Sequence, residues 1–204
     1  MISNRARAES YPLSRRDVVA QLLENRDDDL LVIAGLGAPA FDITLQGDTP
    51  LNFPLWGAMG GAVSIGLGLA LAQPLRRVLV ITGDGETLMG LGSLGTVAAQ
   101  APANLAIVVL DNERYGETGM QSTHTAMTVD LAAVAAACGI DRALTVRSQA
   151  EMPAAVEAAR KAPGPVFIDA KVRAEQLGMV LPPKEGTHLK DRFRQALLGP
   201  RAIS

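Results

Sequence analysis

The sequence predicts an α/β fold, a three-layer α/β/α arrangement around a mostly parallel central sheet. Two observations carry this reading. Short, continuous apolar runs recur at residues 30–34, 78–82, 105–110 and 165–170, with a weaker one at 142–146. Uninterrupted apolarity suits strands buried on both faces of a parallel sheet. Between these runs lie helical stretches at 57–73, 86–101, 131–138 and 149–161. Strand and helix therefore alternate as in βαβ units.

The elements follow in order. Ser14 is placed to cap a helix running to about Glu24, with Val18, Val19, Leu22 and Leu23 on one face. The acidic turn Asp27-Asp28-Asp29 leads into the first strand. The segment Gln73-Pro74-Leu75-Arg76-Arg77 reads as a helix end and turn before the second. Gly90, Gly92 and Gly95 each cost about 1 kcal/mol relative to Ala inside a helix, so close packing is expected around them. A further helix is expected over 189–198, after Pro182-Pro183. The sequence thus reads as one domain over residues 1–204, with 173–204 as a peripheral C-terminal arm.

Composition narrows the function. The 204 residues are 48% hydrophobic but only 3% aromatic, so the core is built from Ala, Val, Leu and Ile. A net charge of −2 and the lack of a basic run give no electrostatic case for nucleic acid. Cys138 is the only cysteine, which rules out an internal disulfide, a CxxC redox pair and a cysteine-ligated iron–sulfur cluster. His124 and His188 are too far apart for a zinc pattern. The polar first residues do not read as a signal peptide, and the apolar stretch 62–72 is too short to span a bilayer. A cytoplasmic protein without membrane attachment is expected.

Ligands of parallel sheets sit beyond the carboxyl ends of the strands. There the second long apolar run is followed by Gly83-Asp84-Gly85-Glu86-Thr87 and a helix. The glycines let backbone N–H groups approach a phosphate, and the helix N-terminus favours negative charge. An aspartate would repel a bare phosphate, which makes Asp84 a ligand for an intervening divalent cation; magnesium is the usual choice for hard oxygen donors. The next strand ends in Asp111-Asn112-Glu113-Arg114-Tyr115-Gly116, with Asn112 lying 28 residues after Asp84. One helix and one strand fit that interval, so neighbouring strands bring an Asp and an Asn to the same sheet edge.

The paired motif resembles that of the thiamine diphosphate-dependent enzymes, whose diphosphate-binding (C-terminal) domain carries GDG and, about one βα unit later, Asn-Asn or Asp-Asn. The resemblance implies the thiamine diphosphate-binding fold. It also implies Mg2+ ligation by Asp84, the Asn112 side chain and the Arg114 carbonyl. Gly83, Gly85, Glu86, Thr87, Tyr115 and Gly116 would surround the diphosphate. The segment Leu55 to Ala62 resembles the part of the family that cups the aminopyrimidine. Met59, 25 residues before Asp84, falls at the bulky apolar position beneath the cofactor, and Gly57 falls where a carbonyl meets the exocyclic amine.

Within the family, Asp28 to Ile33, Leu88 to Leu94, Ala99 to Leu105, Leu110-Asp111-Asn112 and Glu117 to Gln121 resemble the phosphonopyruvate and sulfopyruvate decarboxylases, especially the separate β chain of the latter. The expected role is the diphosphate-binding subunit of a 2-oxo acid decarboxylase. The activating glutamate belongs to the family's pyrimidine-binding domain, so a partner subunit would supply it. Glu86 and Glu117 lie at the other end of the cofactor. Where the branch has Ser-Arg-Glu this chain has Ala40-Phe41-Asp42, and a late Leu-Gly-Arg-Pro is replaced by Leu177-Gly178-Met179-Val180. Both changes remove an arginine, so the substrate's side chain stays open. His124 is a candidate proton donor or substrate contact. The competing readings are a carboligase, an oxidoreductase β chain, and a non-catalytic regulatory subunit.

Overall fold

The computed structural model describes residues 4–202. Its strands are β1 (Leu31–Ala34), β2 (Asn52–Pro54), β3 (Val78–Gly83), β4 (Leu105–Asp111), β5 (Arg114–Tyr115), β6 (Gln121–Ser122), β7 (Arg142–Val146) and β8 (Val166–Lys171). Six of them form one parallel sheet in the order β2-β1-β3-β4-β8-β7, while β5 and β6 form a small antiparallel hairpin. The strands predicted from the apolar runs are all present, within a residue at each end.

Alternation along the buried strands sorts side chains onto two faces. On one face Leu79 and Ile81 of β3 join Ala106, Val108 and Leu110 of β4. Helices α2 (Arg15–Leu23), α3 (Ala38–Leu45) and α8 (Met152–Lys161) pack there. On the other face Val78 and Val80 join Leu105, Ile107 and Val109. Helices α4 (Ala62–Ala72), α6 (Ser93–Gln100) and α7 (Leu131–Ala137) cover that side. The three predicted layers follow from this period of two. The short helices α1 (Asn4–Glu9) and α5 (Asp84–Met89) complete the ordered elements before the last helix, α9 (Gly186–Leu198). That helix packs Phe193 against Phe53 of β2, ring centroids 5.4 Å apart, and Arg192 forks onto Asp48 at 2.5 and 2.7 Å.

Differences from the predicted helices have local causes. The helix expected from residue 57 opens only at Ala62, because Ala58 (φ 57°) and Gly60 (φ 94°) take left-handed conformations. The helix expected over 86–101 is two helices, broken at Gly90-Leu91-Gly92. A Cβ on Gly90 would stand 2.2 Å from the Gly60 carbonyl oxygen, so this break and the earlier turn share one backbone contact. Gly92 and Gly95 face open space within the chain. Ser14 occupies the N-cap position of α2, but its hydroxyl donates to Glu175 at 2.7 Å rather than capping. Helix α3 and strand β2 were not predicted: α3 is apolar nearly all round and β2 has three residues, so neither has a readable period.

Gly66 shows how tightly α4 lies on the sheet. A Cβ there would be 2.2 Å from Cγ2 of Val80, whereas Gly68 in the same helix is exposed with nothing in reach. Gly66→Ala is therefore expected to destabilise by about 1–3 kcal/mol through overpacking. Gly68→Ala should stabilise by about 1 kcal/mol through helix propensity. Urea unfolding of both variants checks this, and shifts of the same sign would contradict the packing argument.

Candidate active site

The sheet changes direction next to β1: the chain steps outward to β2, then returns to place β3 on the other side of β1. Ligand crevices of open α/β sheets form outside the carboxyl ends of strands at such a switch point. A cavity of about 180 Å3 lies there, walled by residues that follow β1 (Leu36, Ala38, Pro39), β3 (Gly83 to Glu86) and β4 (Asn112, Arg114). Met59, Tyr115 and Gly116 also line it, as does Arg15 from α2.

Register fixes the polar pair. Gly83 lies opposite Leu110, so Asp84 and Asp111 leave the sheet side by side and Asn112 follows one residue later. Asp84 is 2% exposed and Asp111 fully buried. Asp84 Oδ2 accepts from the hydroxyls of Thr123 (2.6 Å) and Thr125 (3.1 Å). The Thr125 hydroxyl also lies 2.8 Å from Asp111 Oδ1, bridging the two carboxylates. The far oxygen of Asp111 is paired with Lys171, whose Nζ is also 3.1 Å from Asp169 Oδ2. That second contact is an ion pair without hydrogen-bond alignment, since neither Asp169 oxygen accepts a hydrogen bond.

The energetics of this network are set by burial. Burial first and Asp111 second push the Asp84 carboxyl well above the usual carboxylate range, against the pull of the two threonines. The same two causes carry Asp169 to about 7, against Lys171. Burial lowers the Lys171 ammonium, but Asp111 and Asp169 outweigh it and the net shift is upward. Burial also raises Glu86, which accepts from Thr82 Oγ1 at 2.8 Å and from the Ala62 N–H at 3.4 Å.

Beyond β4 the backbone turns sharply. Asn112 Oδ1 accepts the Arg114 N–H at 2.9 Å, and Glu113 sits in the left-handed region at φ 60°. Glu113 is anchored from the chain's N-terminal part, accepting from Arg7 Nη2 and from the Tyr11 hydroxyl, each at 2.7 Å. The hairpin of β5 and β6 then lays Tyr115 over the glycine turn: a Cβ on Gly85 would be 2.6 Å from the ring. At Gly83, by contrast, which also lines the cavity, a Cβ would meet nothing within 4 Å.

The structure thus gathers Met59, Gly83, Asp84, Gly85, Glu86, Asn112, Arg114, Tyr115 and Gly116 around one cavity. Thr87, Gly57 and His124 stand outside its lining. The Thr87 hydroxyl donates to the Gly83 carbonyl at 2.8 Å, behind the turn. His124 is exposed. Sequence reasoning singled out His124 but passed over its neighbours Thr123 and Thr125, which hold Asp84; a hydroxyl on each side of an exposed residue was the available signal. Lys171, Arg7 and Arg15 gave no such signal, because their partners lie between 27 and 106 residues away in the chain.

Fold and cleft define a doubly wound α/β domain whose ligand site, at a topological switch point, joins a glycine turn to hard-oxygen donors from adjacent strands. Comparison with known proteins makes this specific. Residues 39–170 match the thiamine pyrophosphate enzymes over their C-terminal TPP binding domain. The sulfopyruvate decarboxylase subunit beta of Methanothermobacter thermautotrophicus is 41% identical over 172 residues, 84% of this chain and 89% of that one. The phosphonopyruvate decarboxylase of Streptomyces hygroscopicus is 37% identical over 92% of this chain, which spans 46% of that protein. A solved structure from Mycobacterium smegmatis, described as a thiamin diphosphate-dependent enzyme, shares the fold with a TM-score of 0.69 at 24% identity, over 80% of this chain and 32% of its own. The chain belongs to the thiamine pyrophosphate enzyme family, as its C-terminal TPP-binding domain.

Asp169 gives this site a measurable pH signature. Its folded pKa of about 7 lies above its unfolded value of about 4, so the folded state holds the extra proton between the two. The stability this contributes is complete below about pH 4 and is lost as pH rises through about 7. In cofactor-free protein, Asp169→Asn should flatten the decline in unfolding free energy across that window, measured by urea titration. A variant curve parallel to the native one would contradict the assignment. Lys171→Met should destabilise by about 3–5 kcal/mol at neutral pH, because it strands two buried carboxylates.

Proposed function

We propose that this chain is the diphosphate-binding subunit of a thiamine diphosphate- and Mg2+-dependent 2-oxo acid decarboxylase of the sulfopyruvate and phosphonopyruvate decarboxylase type. The observation that carries it is the placement of Asp84 and Asn112 on adjacent strand ends in one cleft. Likeness to beta subunits along most of their length supports the subunit assignment.

The donor set suits the cofactor. Among the described residues no group of three His, Cys, Asp or Glu side chains is placed to hold a metal. A magnesium ion here would take Asp84, the Asn112 amide oxygen and the Arg114 carbonyl, and complete its shell with phosphate oxygens, as this hard cation does in phosphate sites. Asn112 Oδ1 accepts only the Arg114 N–H and keeps a second lone pair for a cation. Three buried carboxyls are linked in a chain: Thr125 joins Asp84 to Asp111, and Lys171 joins Asp111 to Asp169. Fully ionised they carry more negative charge than Lys171 neutralises, which favours a cation beside Asp84.

Thiamine diphosphate supplies the electron-accepting centre that makes loss of carbon dioxide from a 2-oxo acid accessible. The chain's own contribution is positional. Gly83 leaves the turn open for backbone N–H groups to meet a diphosphate, and Asp84 and Asn112 would hold its cation. Tyr115 and Met59 give the cleft an apolar wall. Glu86 is committed to Thr82 and the start of α4, so it is not free for the activating proton transfer. That role falls to a glutamate of a pyrimidine-binding partner subunit, and the small-molecule substrate would meet the cofactor between the two.

The chain should co-purify from its native cells with a stoichiometric partner when magnesium and thiamine diphosphate are present. The complex should convert a 2-oxo acid to an aldehyde and carbon dioxide. Asp84→Ala should abolish magnesium-dependent cofactor retention in that complex, read by mass spectrometry of the desalted protein. Retention by this variant would remove the cation assignment; acyloin as the product would point to a carboligase instead.

A further inference from the structure

Arg15 is a cleft residue that nothing above employs. It opens α2, far in sequence from the glycine turn, yet it lines the same cavity as Gly83, Asp84 and Gly85 while only 6% exposed. One of its nitrogens is committed: Nη1 donates to Asp42 Oδ2, and to the Ala38 carbonyl at 3.4 Å. Its Nε and Nη2 donate to no described residue, and neither is sealed away as an orphaned buried atom. A guanidinium carries five N–H donors in a rigid fork. Three of those donors, on Nε and Nη2, therefore stay available to a ligand that enters the cavity.

The charge around it has the matching sign. Asp42 is fully buried and receives a second arginine, Arg16, whose Nε lies 3.3 Å from Oδ1. Two guanidinium groups share one carboxylate, a local surplus of one positive charge at this wall, while Glu117, whose carboxylate lies against Gly37, brings a negative charge to the same cavity. The first turn of α3 points the same way: it begins at Ala38 after Gly37, whose φ of 79° redirects the chain, and both Ala38 and Pro39 line the cavity. Its N-terminus adds a partial positive charge.

We infer that Arg15, held in place by Asp42, binds the cofactor's diphosphate and so forms a second, cationic half of the cradle opposite the cation held by Asp84 and Asn112. This rests on the assignment of the cleft to thiamine diphosphate. A diphosphate carries more negative charge than one divalent cation neutralises, and Arg15 supplies the remainder through charge-assisted hydrogen bonds. Asp42 is a positioning residue: it fixes the fork's orientation and does not touch the ligand.

The test uses the complex of this chain with its partner and two probes, magnesium pyrophosphate and thiamine diphosphate with magnesium, titrated by calorimetry. Arg15→Met should weaken both by about 10- to 100-fold, the worth of one hydrogen-bonded charge. Arg15→Lys, which keeps the charge but loses the fork, should fall between. Because Arg15→Met strands Asp42, the double variant Arg15→Met with Asp42→Asn removes the buried pair together; circular dichroism establishes that it is folded, and it should show the same loss. Folded variants that bind pyrophosphate with native affinity would overturn the inference. So would a rise only in KM for the 2-oxo acid, which would place Arg15 at the substrate. A native complex that binds neither probe would remove the functional reading itself, an outcome distinct from silence of the Arg15 variants alone.

Discussion

Everything at this site depends on one electrostatic constraint: three buried carboxyl groups are linked through one threonine hydroxyl and one ammonium. Asp84, Asp111 and Asp169 are at most 2% exposed, and Lys171 forms ion pairs with Asp111 and Asp169. Burying ionised groups costs several kcal/mol each unless they are paired and hydrogen-bonded. The fold answers by recruitment. The hairpin beyond β4 returns the chain so that Thr123 and Thr125 reach Asp84, and Thr125 also reaches Asp111. Residual imbalance shows in the raised Asp84 and Asp169. A network only partly satisfied by the protein is poised to gain from a cation, and its low-dielectric surroundings make that gain larger than at an exposed site.

A second constraint is steric and keeps that electrostatic arrangement compact. Tyr115 rests on Gly85 where no side chain would fit, and Gly90 meets the backbone of Gly60 in the same way. The first contact presses the hairpin onto the glycine turn. The second ties the end of α5 to the irregular segment carrying Met59. The three pieces that line the cleft are thus located against one another by direct backbone approach. Arg7 and Tyr11 lock the left-handed Glu113 and so complete the set. This is the preorganisation that a cofactor-orienting surface requires: donors positioned before binding do not have to be ordered during it.

These causes explain what could be read in the sequence. The central strands announced themselves because they lie between two helical layers and are apolar over most of their length; β4 is buried at every position, whereas the edge strand β7, only partly buried, gives the weaker run. Asp84 and Asn112 were legible because parallel register converts a chain interval of one βα unit into spatial adjacency. Helix limits were not, because Ala58 and Gly60 break periodicity by backbone conformation, and Ala58 is a helix-favouring residue that betrays nothing. The partners of the buried acids were invisible for a different reason. Lys171 and Arg7 reach them across 60 and 106 residues of chain, and a lysine at the end of an apolar run reads equally well as a solvated strand terminus.

Arg15 shows the same limit from the other side. The family resemblance leads one to expect an arginine in the segment after β1, where this chain has Phe41, and on that expectation the cleft would be judged short of positive charge. In three dimensions Phe41 is largely buried within α3, while the adjacent Asp42 gathers Arg15 and Arg16 from the helix before β1. The guanidinium enters the cavity from another element. What a cleft requires is a cation at a place, and a neighbouring helix can supply it as well as the loop can, provided a buried carboxylate orients it. The fully buried Asp42 answers that condition, and burial keeps its pKa raised despite two arginines. An acid under that strain is stabilised only while the arginines remain, so the pair constrains α2 and α3 together: neither helix can shift without stranding the carboxylate. The charge of the cleft is therefore a property of how two helices pack, which substitution at a single aligned position does not measure.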